Sequence, residues 1–270
     1  MGGFFLMRKL KKIFAVLSIL VLLPYIITVF LNGEEAVSEE SSMLDKYCIG
    51  QLAKEVSSAY EDEMLKVQAV IVRTTVYQRV NEIIPDEIEA LDLDLGWQHR
   101  LEKAWKDTEG QVLMYGEKVA LTPFHYLSNG KTRNGAEVLQ SEEYPYLKVQ
   151  ECMADLEAEE QLDTKMLDVV NASVVKRDSA GYVLEVKIGE EVQSGDTFRS
   201  TYGLASSAFE LQSFSESTRV ITKGIGHGLG LSQYSANEMA KEGKTYKEIL
   251  QYFYEGTELK EVAEVLWNTE

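Results

Sequence analysis

The sequence is poor in several residue types that often mark a site. Of its 270 residues, two are cysteine, four are proline and three are histidine. Two cysteines, Cys48 and Cys152, are too few for a disulfide scaffold, and they either pair with each other or stay separate. The histidines lie far apart, and neither an H-E-x-x-H nor a C-x-x-C motif occurs. The sequence therefore predicts no metal site, and we expect no cofactor.

Basic residues are also scarce, with 27 Lys and Arg against 44 Asp and Glu and a net charge of −17. An acidic surface repels phosphate backbones, so we expect no nucleic-acid partner. A neutral, cationic or carbohydrate partner suits this charge better. With 45% hydrophobic and 26% charged residues the composition is that of a globular protein, and the length fits one large domain or two small ones.

The only long uncharged apolar run covers residues 13–31 and follows four basic residues at positions 8, 9, 11 and 12. About 20 apolar residues cross a membrane as a helix, and the basic flank predicts a cytoplasmic N-terminus. We expect a cytoplasmic segment (1–12), a transmembrane signal anchor (13–31), a tether (32–42) and an ectodomain outside the cell membrane (43–270). A cleaved signal peptide is the alternative, although its apolar region is usually shorter and no small-x-small site follows directly.

The ectodomain mixes helical and strand patterns without a regular βαβ alternation, which predicts an α+β fold. Residues 85–106 are acidic and predict an exposed helical arm, and residues 140–165 predict an irregular stretch. Helices are expected at 43–56, 61–83, 232–242 and 245–254, strands within 111–124, and a hairpin formed by 169–176 and the residues after 182.

A glycine-rich segment, residues 224–234, reads Gly-Ile-Gly-His-Gly-Leu-Gly-Leu-Ser-Gln-Tyr. Glycine at alternate positions leaves one side of an extended backbone bare, which suits close approach by another backbone or by a ligand. His227 lies within the segment, and Ser232 and Gln233 begin a predicted helix. The alternative is a tight turn around a hydrogen-bonded core histidine. A serine hydrolase with Ser232 as nucleophile is disfavoured because the G-x-S-x-G elbow is absent.

Two polar side chains, Gln68 and Arg73, interrupt a helix whose centre, residues 67–74, is apolar on nearly every side. Such a helix is expected to be buried all round, and a buried amide and guanidinium then require partners. Both side chains could simply bind neighbouring groups and so have a structural role. Alternatively, they could hold a carboxylate, for which Glu55 is a candidate.

These segments resemble, in order, the stage II sporulation protein D family (SpoIID/LytB). Glu55, followed thirteen residues later by Gln68 within E-M-L-K-V-Q-A-V-I-V-R-T, is similar to the family's Glu and its E-A-L-K-A-Q-A-V-A-A-R-T. Residues 124–132 resemble F-H-S-T-S-G-G-R-T, residues 199–209 resemble R…L-x-L-x-S-S-x-F, and residues 224–259 resemble the glycine and S-Q-W-G-A motifs with the Y-x-E-I-L that follows. The chain departs from the family at Val56-Ser57 (Met-Pro), Asn129 (Gly), Tyr234 (Trp) and Ser235 (Gly).

The resemblance implies a lytic transglycosylase that cleaves peptidoglycan glycan strands, preferably peptide-free ones, during engulfment in sporulation. It implies an α+β catalytic ectodomain with a glycan-binding groove, and as partners a wall amidase/endopeptidase and a membrane scaffold protein. Glu55 corresponds to the catalytic residue, acting first as acid and then as base and leaving 1,6-anhydro ends. The residues implied to bind substrate or support Glu55 are Gln68, Arg73, Thr74, His125, Ser128, Gly130, Arg199, His227, Ser232, Gln233 and Tyr234. The alternative is a catalytically inactive glycan-binding or scaffold module of the same fold.

Overall fold

The computed structural model describes residues 44–79 and 93–262. Nearly all of these residues belong to one compact unit, Cys48–Ile83 with Ala90–Glu270. A second unit, Met1–Tyr47 with Ile84–Glu89, falls almost entirely outside the described residues, as do the predicted cytoplasmic segment, anchor and tether. Within the described ranges, no helix has both the length and the apolar character needed to cross a membrane.

The elements alternate irregularly between helix and strand, which confirms the α+β class. The helices are α1 (44–55), α2 (Asp62–Gln78), α3 (Leu95–Asp107), α4 (Gly135–Leu139), α5 (Gly195–Tyr202), α6 (Gln233–Lys241) and α7 (Tyr246–Phe253), with short 3-10 helices at Met153–Glu157 and Glu159–Gln161. The strands are β1 (Gln111–Tyr115), β2 (Lys118–Val119), β3 (Phe124–His125), β4 (Leu162–Leu167), β5 (Ala172–Arg177), β6 (Val183–Ile188), β7 (Glu191–Ser194), β8 (Phe209–Ser213), β9 (Thr218–Lys223), β10 (Leu231–Ser232) and β11 (Glu258–Glu261).

Helix α2 lies at the centre of the first hydrophobic core, as its apolar sequence predicts. Every residue from Val67 to Thr74 is buried, between α3, α6, α7 and β1. The helix ends at Gln78 rather than at residue 83, because Arg79 leaves the helical conformation with φ −121°. Strand β1 extends this part of the fold as the centre of a sheet ordered β11-β1-β2.

Helix α3 occupies the region predicted to be an exposed arm, and that prediction is wrong for this part of it. Leu101, Ala104 and Trp105 are buried, and α3 packs on α2. These residues recur three and four positions apart, so they form one apolar stripe although the rest of the helix is polar. The acidic composition concealed this stripe.

A second core joins two three-stranded antiparallel sheets, ordered β4-β9-β8 and β5-β6-β7, with α5. The predicted hairpin is confirmed as β5 and β6, with Val174 opposite Val186. The most completely buried side chains of this second core are Val183, Val186, Phe198, Phe209 and Val220. A short parallel pair, β3 with β10, aligns His125 with Ser232 next to the first core. Cys48 and Cys152 are both buried, and no disulfide joins them.

Candidate functional site

The glycine-rich segment packs against the protein's own chain. Gly224, Gly226, Gly228 and Gly230 all have positive φ, between 73° and 115°. A Cβ on Gly226 would lie 2.6 Å from the Cβ of His125, and one on Gly230 would overlap the carbonyl oxygen of Pro123. Only glycine fits such a left-handed and crowded backbone. The bare side of the segment therefore packs against the loop around β3. Of the two close approaches that the glycine spacing suits, the structure shows approach by another backbone.

Two predicted site histidines meet beside this segment. The ring centroids of His125 and His227 are 5.8 Å apart. His125 is buried, its Nδ1 lies 3.2 Å from the carbonyl oxygen of Leu229, and burial lowers its pKa to about 3. Nδ1 of His227 accepts from the backbone N–H of Leu229 at 3.0 Å, and burial followed by the charge of Arg199 lowers the pKa of His227. Both rings are therefore neutral near pH 7 and help to shape the glycine turn.

The clearest convergence of predicted site residues lies at the start of α6. The side-chain Nε2 of Gln233 donates to the backbone carbonyl of Glu55 at 2.8 Å and to Oε1 of Gln68 at 3.3 Å. Gln68 is fully buried, and its Nε2 has no hydrogen-bond partner within the described ranges. Glu55 is the last residue of α1 and is exposed. Helices α1 and α2 thus meet α6, which lies far from them in sequence, at the exposed residue Glu55.

A second junction at the start of α6 is built on Asp155, which no sequence pattern singles out. Asp155 is fully buried in the 3-10 helix Met153–Glu157. Its carboxylate accepts from the backbone N–H of Ser128 at 2.7 Å, from Ser232 Oγ at 2.8 Å and from Ser235 Oγ at 2.6 Å. Burial raises the pKa of Asp155, although hydrogen bonds from the three serines act in the opposite direction.

Ser128 and Gly130 form the turn that faces Asp155. The Oγ of Ser128 accepts from the backbone N–H of Gly130 at 3.0 Å. Gly130 has φ +102°, and a Cβ there would lie 3.0 Å from the side chain of Leu156. Ser232 is the N-cap of α6, accepting from the backbone N–H of Ser235. These predicted site residues therefore order the loop and the helix start, and the Ser232 hydroxyl is bound to a carboxylate rather than to a histidine.

Tyrosines border the same region. Tyr234 is half-buried, and its backbone N–H donates to the carbonyl of Tyr126 at 3.0 Å. Burial raises the pKa of Tyr126, and the negative charge of Glu160 raises it further. Burial also raises the pKa of Tyr60, with Tyr126 and Asp155 contributing. Tyr60 and Tyr126 were not among the predicted site residues, because Tyr60 lies in no motif and Tyr126 stands where the F-H-S-T-S-G-G-R-T pattern has serine.

Three further predicted site residues make their contacts away from the two junctions at the start of α6: Arg73, Thr74 and Arg199. Arg73 donates to the carbonyls of Thr108 at 2.6 Å and Trp105 at 3.0 Å and stacks on the Trp105 ring. Thr74 Oγ1 accepts from the backbone N–H of Leu113 in β1. These contacts favour the structural alternative for Arg73. Nε of Arg199 donates to the carbonyl of Ala205 at 3.3 Å, near His227.

Sequence comparison with known proteins identifies relatives of this chain. The chain is 30% identical to stage II sporulation protein D of Bacillus subtilis (strain 168) over 88% of this chain and 80% of that protein. The chain belongs to the stage II sporulation protein D family. A family model described as Stage II sporulation protein matches residues 33–115. Stage II sporulation protein D of Bacillus amyloliquefaciens is 27% identical over 88% of this chain and 79% of its own length. The amidase enhancer of B. subtilis is 26% identical over 78% of this chain and 40% of its own.

Membership of the stage II sporulation protein D family confirms the resemblance drawn from the motifs. The part matched by the family model contains Glu55 and Gln68, and Gln233 comes from the C-terminal motif. In this family member the two regions meet through the Gln233 amide. Asp155 lies between the motifs, in the stretch expected to be irregular.

Proposed function

We propose that this chain is a membrane-anchored lytic transglycosylase that cleaves peptidoglycan glycan strands during sporulation. The observation that carries the proposal is the Gln233 amide, which bonds both the carbonyl of Glu55 and the side chain of Gln68. It fixes the end of α1 by its backbone while the Glu55 carboxyl stays exposed. The names of the two Bacillus stage II sporulation proteins support the sporulation role.

A single carboxyl group suffices for this reaction. Ordinary glycosidases use two carboxylates, one as acid and one as nucleophile or base. Here Glu55 first protonates the leaving glycosidic oxygen. Once ionised, it takes the proton from the 6-hydroxyl of the same sugar, whose oxygen closes onto the anomeric carbon. No water enters the bond-breaking step, and Glu55 ends the cycle protonated again.

The surroundings of Glu55 suit a sugar chain. Tyr126 and Tyr234 are half-buried at adjacent backbone positions next to the α6 start, and each offers an apolar ring face with a polar hydroxyl. The buried Nε2 of Gln68 has no partner within the described ranges, and such a donor is unfavourable unless a ligand or water satisfies it.

We further propose that residues 13–31 anchor the chain with its catalytic domain outside the cell membrane. A wall amidase/endopeptidase that strips peptides would supply the peptide-free glycan, with a membrane scaffold protein as an additional partner. The name of the amidase enhancer, a relative of this chain, supports an association with amidase activity.

The decisive experiment digests peptide-free glycan strands with the full chain in detergent and with its Glu55→Gln variant. We expect the wild type to release strands with 1,6-anhydro ends, about 18 Da lighter than hydrolysis products because no water is added. Glu55→Gln should still bind glycan and release nothing. Glu216→Gln is the matched control, because Glu216 is exposed in the turn between β8 and β9. Reducing ends throughout would make the protein a hydrolase, and full cleavage by Glu55→Gln would remove Glu55 from the mechanism.

The second candidate is a catalytically inactive glycan-binding module that acts through another wall enzyme. It is favoured by the name of the amidase enhancer. In that case the wild type would sediment with glycan strands without shortening them, and it would accelerate an added wall amidase. Glu55→Gln would then behave as the wild type in both assays.

A further inference from the structure

The buried carboxylate of Asp155 joins three parts of the chain, one of which, α6, also binds the backbone of Glu55. Its Oδ2 receives the backbone N–H of Ser128 at 2.7 Å, and its Oδ1 receives Ser235 Oγ at 2.6 Å. Ser232 Oγ lies within 3.0 Å of both oxygens. The acid therefore ties the loop after β3 and the first turn of α6 to the 3-10 helix Met153–Glu157.

The first turns of α6 in turn hold the segment that carries Glu55. Gln233 donates to the Glu55 carbonyl at 2.8 Å. One turn further along, Oδ1 of Asn237 accepts from the backbone N–H of Glu61 at 2.8 Å. Residues 55–61, which connect α1 to α2, are thus bound to α6 at both ends.

We propose that Asp155 is a positioning residue, which fixes the N-terminus of α6 and through Gln233 and Asn237 sets the location of Glu55. The inference rests on the proposed function for its catalytic consequence, although the coupling of Asp155 to residues 55–61 is a property of the fold itself. Asp155 contacts neither Glu55 nor Gln68 through any hydrogen bond in the described ranges, so it acts through α6.

The electrostatics support a role beyond stability. Burial raises the pKa of Asp155 despite hydrogen bonds from Ser128, Ser235 and Ser232. The ionised form is therefore less favourable in the folded protein than in the unfolded chain, and the charge lowers stability near neutral pH. Residues that lower stability are typical of functional sites, where geometry rather than stability is selected. The positive end of the α6 dipole partly offsets this effect.

The test compares Asp155→Ala and Asp155→Asn in the full chain. Alanine removes every acceptor, whereas asparagine keeps one oxygen for the Ser128 N–H and can donate to the serine hydroxyls. Val220→Ala is the control, because it shortens a fully buried side chain of the second core and destabilises the fold without touching α6. Glycan cleavage and amide hydrogen exchange are measured well below the melting temperature of the least stable variant.

We expect Asp155→Ala to lower kcat at least about tenfold with KM within about threefold, and Val220→Ala to keep kcat within about twofold. The kcat of Asp155→Asn should lie between those of Asp155→Ala and the wild type. Exchange of the Glu61 amide should accelerate in Asp155→Ala and stay unchanged in Val220→Ala, because only the former loosens α6. If Asp155→Ala does not fold, Ser235→Ala, which removes a single bond to Asp155, should show the same changes at smaller size.

The outcomes separate the two proposals. A wild type that does not cleave glycan overturns the proposed function, while the exchange at Glu61 still tests the positioning. A cleaving wild type in which Asp155→Ala loses no more activity than Val220→Ala overturns the positioning role alone. Amide hydrogen exchange in residues 55–61 that stays unchanged in Asp155→Ala also overturns the positioning role.

Discussion

Adding one methyl group at Gly228 tests whether the glycine-rich segment is a packed backbone rather than an open loop. Gly228 has φ +80°, and a Cβ there would lie 2.6 Å from the hydroxyl oxygen of Tyr182 and 2.5 Å from its Cε1. The Tyr182 ring is fully buried. Its hydroxyl accepts from the backbone N–H of Asn129 at 3.1 Å and lies 3.3 Å from the carbonyl of Lys131. The ring therefore cannot move aside without breaking these bonds.

Two effects add in the Gly228→Ala variant. The left-handed conformation disfavours a residue with a Cβ by about 1–2 kcal/mol. Overpacking against a buried ring adds about 1–3 kcal/mol. The sum is about 2–5 kcal/mol, and at about 2–4 °C per kcal/mol for a chain of this size the melting temperature should fall by roughly 4–20 °C.

Gly243→Ala is the matched control, because Gly243 has φ +88° and a Cβ added there would have no neighbouring atom within 4 Å. It should show the conformational effect alone, a fall of roughly 2–8 °C. Thermal unfolding followed by circular dichroism, on both variants under identical conditions, measures the difference. Equal losses in the two variants would refute the packing argument, since only Gly228 has a buried ring in the way.

The remaining predictions concern Arg73, His125 and the membrane topology. Arg73→Lys should lower the free energy of unfolding in urea by about 2–4 kcal/mol, because an ammonium cannot reach the same carbonyls and stack on Trp105; a change below about 0.5 kcal/mol would contradict this. The folded pKa of His125, about 3, lies below its usual 6.5, so stability should be lost as the pH falls from 6.5 toward 3. The free energy of unfolding should change by up to about 1.4 kcal/mol per pH unit in this range, and by less in His125→Gln. Equal slopes in the two proteins would show that His125 is not the group responsible. Protease added to intact protoplasts should degrade residues 43–270, and full protection would refute the proposed topology.

Much of the fold followed from patterns that act over short distances. The helix around residues 67–74, the β5–β6 hairpin and the two C-terminal helices were predictable because apolar spacing and turn residues determine them locally. The convergence of Glu55, Gln68 and Gln233 could be anticipated only through the family motifs. No local rule predicts that a side-chain amide in α6 will bind a carbonyl more than 170 residues earlier.

Other features were unpredictable for physical reasons. Asp155 is one of 44 acidic residues, and it lies in a stretch without periodicity, so nothing in the sequence distinguishes it. The glycine spacing indicated that another group approaches the backbone of residues 224–230 closely, but it did not distinguish a ligand from another part of the chain. Glu160 lies in the same stretch, and nothing in the sequence indicates that its charge raises the pKa of Tyr126.

At Glu55, the backbone atom that other residues bind is distinct from the carboxyl group that the proposed reaction uses. Gln233 binds the backbone carbonyl of Glu55 and not its carboxyl group, and Glu55 is exposed. A hydrogen bond from a neutral amide contributes only about 0.5–1.5 kcal/mol, so this bond by itself cannot hold the loop rigidly. The Asn237–Glu61 bond and the Asp155 junction act on the same helix and add to its effect. The backbone position of the exposed residue Glu55 is then determined by residues that are themselves buried, so the proposed activity should depend on α6 as much as on α1.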